Sequence, residues 1–153
     1  MIAGADAAMA ASRVLKPKIL GRGKDMKTVG KFVIGTFQGD IHSIGKDIVA
    51  MMLRAAAFEV IDLGVDVPAA RFAEEVQKSK PDLLGLSALL TSTMDVQKEV
   101  INELDRRRSR TNVKVVVGGA PLTKSWAKAI GADAYGADAV EAIREAKALV
   151  GIQ

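Results

Sequence analysis

An α/β protein with a doubly wound sheet of five parallel strands is the fold this sequence predicts. From Lys31 onward, short apolar runs and amphipathic stretches alternate roughly every 25 to 30 residues, the spacing of strand–helix units. The first, third and fourth runs (KFVIGT, DLLGLS, VKVVV) lack polar alternation, as strands do when helices cover both faces of a sheet. Pro68 and Pro81 fall between elements, where a missing amide costs nothing. Strands joined through helices in this way require right-handed crossovers.

Taken in order, residues 1–30 are Ala-rich, then basic with glycines. A helix is predicted over 5–20, with Pro17 ending or kinking it near Lys16, and residues 21–24 read as a linker. The strands follow at 31–36, 59–62, 82–87 and 113–117, with a weaker one at 132–135. The helices fall at 46–57, 69–78, 94–107, 123–130 and near 139–150.

Length and composition narrow the function. A chain of 153 residues with 49% hydrophobic and 26% charged side chains suits one globular domain. With no cysteine there is no disulfide, zinc knuckle or thiol nucleophile, in keeping with a reducing compartment. No apolar run is long enough for a bilayer, and the first residues lack the order of a secretion signal, so a cytoplasmic protein is expected. The net charge of +4 peaks at Arg106, Arg107, Arg108 and Arg110, but no aromatic interleaves with that run. It reads as a solvated helix end that nothing equips to stack bases, so neither nucleic acid nor membrane is an expected partner.

In a doubly wound sheet the ligand site lies beyond the carboxyl ends of the strands. Those ends are predicted at 38–45, 64–68, 87–93, 118–121 and 135–138, and several are rich in Gly, Ser, Thr or Asp. Familiar chemistries are missing: there is no dinucleotide fingerprint, no Gly-Lys-Ser/Thr phosphate loop and no G-x-S-x-G elbow. The clustered acids and late lysine of a phospho-acceptor receiver are missing too. What remains is His42, the sole histidine, two residues after Asp40. An imidazole held through one nitrogen by a carboxylate presents the other to a metal. One histidine cannot complete a protein-only cage, which points to a metal already inside a macrocycle. Each residue has a plainer alternative: His42 or Asp40 as a helix cap, Gly118-Gly119 as a turn, Ser87 as a core serine. Met51, Met52 and Met94 read as core filling, and Trp126 as packing or surface.

Asp40-x-His42-x-x-Gly45, then Ser87-x-Leu89, then Gly118-Gly119 resembles the three-part signature of cobalamin-binding domains of Rossmann- or flavodoxin-like fold. These hold the corrin base-off, with a protein histidine on cobalt. The resemblance implies that His42 gives its Nε2 to cobalt while Asp40 accepts the Nδ1 hydrogen. In the cobalamin domain of methionine synthase a hydroxyl residue extends this relay, and Thr93 stands at the matching position. The small residues Gly85, Ser87, Ala88, Gly118, Gly119 and Ala120 would leave a slot for the displaced nucleotide tail. Ser87 would bond the tail's base, with Thr91 on the same loop, and Gly39, Ile41, Ser43, Gly45 and Leu89 would complete the cofactor-binding set.

The segments at 30–49, 60–68, 85–94 and 115–121 are similar to the corrinoid proteins of methanol, methylamine and methoxy-aromatic methyltransferases. That likeness implies a methyl carrier cycling between methylcobalamin and cob(I)alamin, not catalytic alone. It would take a methyl group from a substrate-specific methyltransferase and yield it to an acceptor methyltransferase acting on tetrahydrofolate or a thiol coenzyme. An adenosylcobalamin mutase subunit and a cobalamin-sensing or storage module stay open as alternatives, as does the oligomeric state. Residues 5–20 resemble only the last helix of the bundle that precedes this domain in the family. Residues 1–30 are therefore expected to be a remnant of a helical cap with its linker, and 31–153 the cobalamin-binding domain.

Overall fold

A computed structural model describes residues 27–152, so the helix expected over 5–20 lies outside the described residues. The elements run β1 (Gly30–Thr36), α1 (Ile44–Ala55), β2 (Phe58–Asp62), α2 (Ala69–Ser79), β3 (Leu83–Ser87) and α3 (Met94–Arg106). After these come β4 (Lys114–Gly118), α4 (Lys124–Ile130), β5 (Ala134–Gly136) and α5 (Ala139–Leu149). Short 3₁₀ turns at Thr91–Thr93 and Arg110–Asn112 flank α3. The sheet has the order β2-β1-β3-β4-β5 and every pairing is parallel. The predicted architecture is the observed one.

Each strand sends alternate side chains to opposite faces, so the apolar runs feed two cores. On one face Val33, Leu84, Leu86, Val115 and Val117 meet Phe72 and Val76 of α2, Val100 and Leu104 of α3, and Ile130 of α4. On the other, Phe32, Ile34, Leu83 and Val116 meet Ala50 and Leu53 of α1 and Ala146 of α5. Each large side chain buried this way contributes about 1.5–3 kcal/mol. Phe32 packs edge-on to Phe58 with ring centroids 6.2 Å apart, closing the second core near the strands' amino ends.

The element limits differ from the sequence reading in two informative places. Helix α1 starts at Ile44, two residues earlier than predicted, because Ser43 already accepts the Asp47 amide through its carbonyl at 2.7 Å. Strand β5 starts at Ala134 because Asp133 is engaged across the sheet, its amide donating to Val115 O and its carboxylate accepting the Val115 amide. Strand order reverses between β1 and β3, whose carboxyl ends therefore part and leave a crevice.

Candidate functional site

Beyond β1 the chain turns at Gly39, whose φ of +88° lies in the left-handed region that glycine enters freely. The turn carries Asp40 back under the strand ends, where it is fully buried. Its Oδ1 accepts the His42 amide at 2.9 Å and faces His42 Nδ1 at 2.8 Å, and its Oδ2 accepts the Leu89 amide from beyond β3 at 2.8 Å. Burial by itself would raise this carboxyl. The donors from His42 and Leu89 outweigh it and hold Asp40 below the usual carboxylate range. An ionised Asp40 makes Nδ1–H the donor, which leaves the lone pair of the neutral ring on Nε2. The His42 side chain is 52% exposed, so the imidazole is held at one edge and open to a ligand at the other.

The depressed Asp40 carboxyl ties stability to pH. Its contribution is complete above the unfolded aspartate range near 4 and is lost as pH falls through the lower native value. Unfolding of wild type and Asp40→Asn in denaturant should therefore show a stability gap at pH 7 that narrows at pH 3. A gap of equal size at both would contradict an ionised Asp40.

Beside His42 a cavity of about 760 Å³ runs between the sheet and the helices α1 and α5. Phe32, Ile34, Val49, Val116 and Ala142 make its walls apolar, and Ser43, Ser87 and Asp138 add polar groups. Ser87, Gly118 and Gly136 sit in register across β3, β4 and β5, two residues beyond Gly85 on the same sheet face, so the wall carries only small residues there. The glycines also permit close packing. A Cβ at Gly85 would lie 2.5 Å from the Phe32 ring, and one at Gly136 would lie 2.8 Å from Ala142 of α5. Gly119 (φ +134°) is more constrained, since its Cβ would sit 1.7 Å from the carbonyl oxygen of Ala88.

Gly45 is different. It stands in the first turn of α1 at the cavity wall, and a Cβ there would touch nothing within 4 Å. No neighbour in the fold requires glycine at this position, and the space a Cβ would take opens on the cavity. Gly45→Ala should raise the stability of the unliganded protein by about 0.5 kcal/mol and weaken binding of whatever fills the cavity. Thermal unfolding and a ligand titration on one preparation check both signs, and tighter binding by the variant would refute the role.

The other predicted residues fall in several places. Ser43, Ser87, Leu89, Gly118, Gly119 and Ala120 line the cavity with His42 and Gly45. Ile41 is 75% exposed and Leu89 42%, so an apolar rim surrounds the imidazole and suits a large flat apolar ligand. Gly39 shapes the turn, and Thr91 is exposed at the 3₁₀ turn; neither belongs to the cavity wall. Thr93 is buried, but its hydroxyl donates to Leu90 O at 2.9 Å. The relay expected from Asp40 to Thr93 is not formed here: the carboxylate oxygen left free by His42 takes the Leu89 amide instead. Met94 packs against the first core, whereas Met51 and Met52 are half-buried on α1 outside both core clusters. Trp126 packs on the first core and donates to Gln97, whose own amide donates to Leu86 O of β3. In the basic run, Arg107 pairs with Glu103 at 2.7 Å and Arg110 with Asp133 at 2.9 Å.

Two residues escaped the sequence reading. Lys46 is buried at the cavity wall and holds Asp62 of β2 at 2.6 Å and Asp47 at 2.6 Å, tying the start of α1 to the end of β2. Asp66, in the loop after β2, accepts the Gly39 amide at 2.8 Å.

The model of the B12 binding domain family matches residues 30–144. The chain belongs to the B12-binding family. Its relatives include trimethylamine corrinoid protein 1 of Methanosarcina mazei, 47% identical over 148 residues, which covers 97% of this chain and 68% of the relative. Among solved structures, the Methanosarcina barkeri monomethylamine corrinoid protein superposes with a TM-score of 0.82 at 38% identity, covering 93% of this chain and 66% of that one. The methanol:cobalamin methyltransferase complex MtaBC, also from Methanosarcina barkeri, gives 0.77 at 36% identity, with 86% and 50% covered. Cobalamin is thus the cofactor, and the residues present fit it. The B12-binding domain offers an imidazole fixed through Nδ1, exposed apolar side chains beside it, and a cavity of about 760 Å³ with Gly45 in its wall.

Proposed function

We propose that this chain is a corrinoid methyl carrier and that His42 would hold the cobalt of its cofactor through Nε2. The observation that carries the reading is the buried Asp40 carboxylate, held by two backbone amides and aimed at His42 Nδ1. Bound cobalamin supplies a cobalt centre that accepts and releases a methyl group. The protein's own part is positional and electrostatic. Asp40 fixes the imidazole's tautomer and orientation and raises its basicity, so that Nε2 is the ligating atom. Ile41 and Leu89 would lie against the macrocycle, and the cavity beyond Gly45 would take the nucleotide tail, with Ser87, Gly118, Gly119 and Ala120 along its wall.

The carrier works with methyltransferases rather than alone. Relatives named for trimethylamine and dimethylamine favour a methylamine as the methyl source, and methyl carriage over a mutase or a storage module. The acceptor methyltransferase would serve tetrahydrofolate or a thiol coenzyme. Residues 31–153 form the cobalamin-binding domain in this reading, and its site of action is the cytoplasm. No helix among the described residues is long and apolar enough to cross a membrane.

The test is label transfer. Reduced, cobalamin-loaded protein is mixed with a methylamine methyltransferase and ¹⁴C-methyl trimethylamine, dimethylamine or monomethylamine. Label should move to the bound corrinoid. No label with any of the three, while a Methanosarcina corrinoid protein is labelled in parallel, would overturn the methylamine reading.

A further inference from the structure

We propose that Asp66 is a positioning residue for His42, and that the loop after β2 sets how firmly the imidazole is held for ligation. The proposal rests on the cofactor reading above and adds to it a residue from a different segment of the chain.

The Gly39–Asp40 segment is gripped from both sides by one residue. Asp66 Oδ1 accepts the Gly39 amide at 2.8 Å, and the Asp66 amide donates to the carbonyl of Asp40 at 3.1 Å. Next to this clasp the Gln38 amide donates to Val67 O at 2.9 Å, and the Val67 amide donates to Thr36 O at 3.0 Å. Phe37 and Val67 form an isolated parallel bridge there. The loop after β2 is thereby knitted to the chain between β1 and His42.

Asp66 adopts φ +56° to do this, a conformation that costs most residues energy but that Asp and Asn tolerate. Its carboxylate is solvent-exposed and makes no ion pair among the described residues. Burial does not explain an aspartate here, and the clasp does. Asp40 depends on its backbone being still: its carboxylate must meet His42 Nδ1, the His42 amide and the Leu89 amide together. A looser Gly39–Asp40 peptide would let that three-way geometry drift. The drift would reach cobalt as a misdirected imidazole, the type of outer-partner defect that costs 10- to 100-fold in metal affinity.

Three substitutions separate the contributions. Asp66→Asn keeps an acceptor oxygen and tolerates the left-handed backbone. Asp66→Gly keeps the backbone freedom and loses the acceptor, and Asp66→Ala loses both. Each protein, labelled with ¹⁵N-histidine and with labelled wild type alongside, is titrated with cob(II)alamin, and the doublet splitting that only the histidine nitrogen gives is read from the electron paramagnetic resonance spectrum. Asp66→Asn should match wild type. Asp66→Gly should bind roughly ten-fold more weakly, with a smaller histidine-coordinated fraction at saturation. Asp66→Ala should lose at least as much and also unfold at lower temperature. If Asp66→Gly binds and coordinates like wild type, the proposal is wrong. It is equally wrong if affinity falls while the bound cofactor stays fully histidine-coordinated, or if Asp66→Asn fails as badly as Asp66→Gly. Failure of the underlying cofactor reading is seen separately, as absence of histidine coupling in wild type.

Discussion

His42→Ala should reduce cobalamin affinity by about 100-fold, the upper end of what losing an outer partner of a ligand costs, and abolish nitrogen coordination from the protein. The fold should survive at a modest cost. An alanine at 42 keeps the backbone amide that donates to Asp40, and Leu89 donates from the other side, but the buried carboxylate loses the ring's Nδ1–H. Losing one donor to a buried acceptor costs about 1–3 kcal/mol. No second histidine exists to take over. Free imidazole added to the variant should restore part of the coordination, because Asp40 is still in place to accept its N–H. Absorption titrations of wild type, variant and rescued variant check all three statements. Wild-type affinity in the variant would remove His42 from the site.

Gly119→Ala should be the most damaging small substitution in the domain. Two costs coincide: the backbone there has φ +134°, and the new methyl would overlap the Ala88 carbonyl, which cannot rotate away as a side chain could. Together they amount to about 3 kcal/mol or more, which lowers the melting temperature of a domain this size by roughly 6–12 °C. The damage also has a direction. Ala88 belongs to the segment whose next residue, Leu89, gives its amide to Asp40, so the variant should bind cobalamin weakly even where it is folded. Gly45→Ala, with open space for its methyl, should move stability the opposite way. If both variants melt at the wild-type temperature, the tight approach of the β4 end to the β3 loop is not as described.

Why some of the site was legible and some was not follows from where each contact originates. The strands announced themselves because parallel strands buried on both faces have no polar residues to spare, as in β1 and β3. Asp40 and His42 were legible because their bond spans two residues, so sequence spacing and geometry are nearly the same statement. Leu89 carried a signal in the Ser-x-Leu element, but its part in the carboxylate network is played by a backbone amide, which any residue type supplies. Asp66 and the Lys46–Asp62 pair were hidden for a related reason. Each joins segments that only the fold brings together, and a single sequence holds no trace of that pairing. Thr93 is a different case. Its position suggested a hydroxyl relay, and its hydroxyl donates to the Leu90 carbonyl three residues back, a local bond of the kind that competes with longer ones.

Because His42 is the only histidine, feeding ¹⁵N-histidine during expression labels that one ring. The labelled protein, loaded with cob(II)alamin, is examined by electron paramagnetic resonance beside an unlabelled sample. A nitrogen-14 axial ligand splits the cobalt lines into triplets, and a nitrogen-15 ligand splits them into doublets. Coordination through His42 Nε2 requires triplets in the unlabelled sample and doublets in the labelled one. Triplets in both would mean that the axial nitrogen belongs to the cofactor's own base, and the assignment of His42 to cobalt would be wrong.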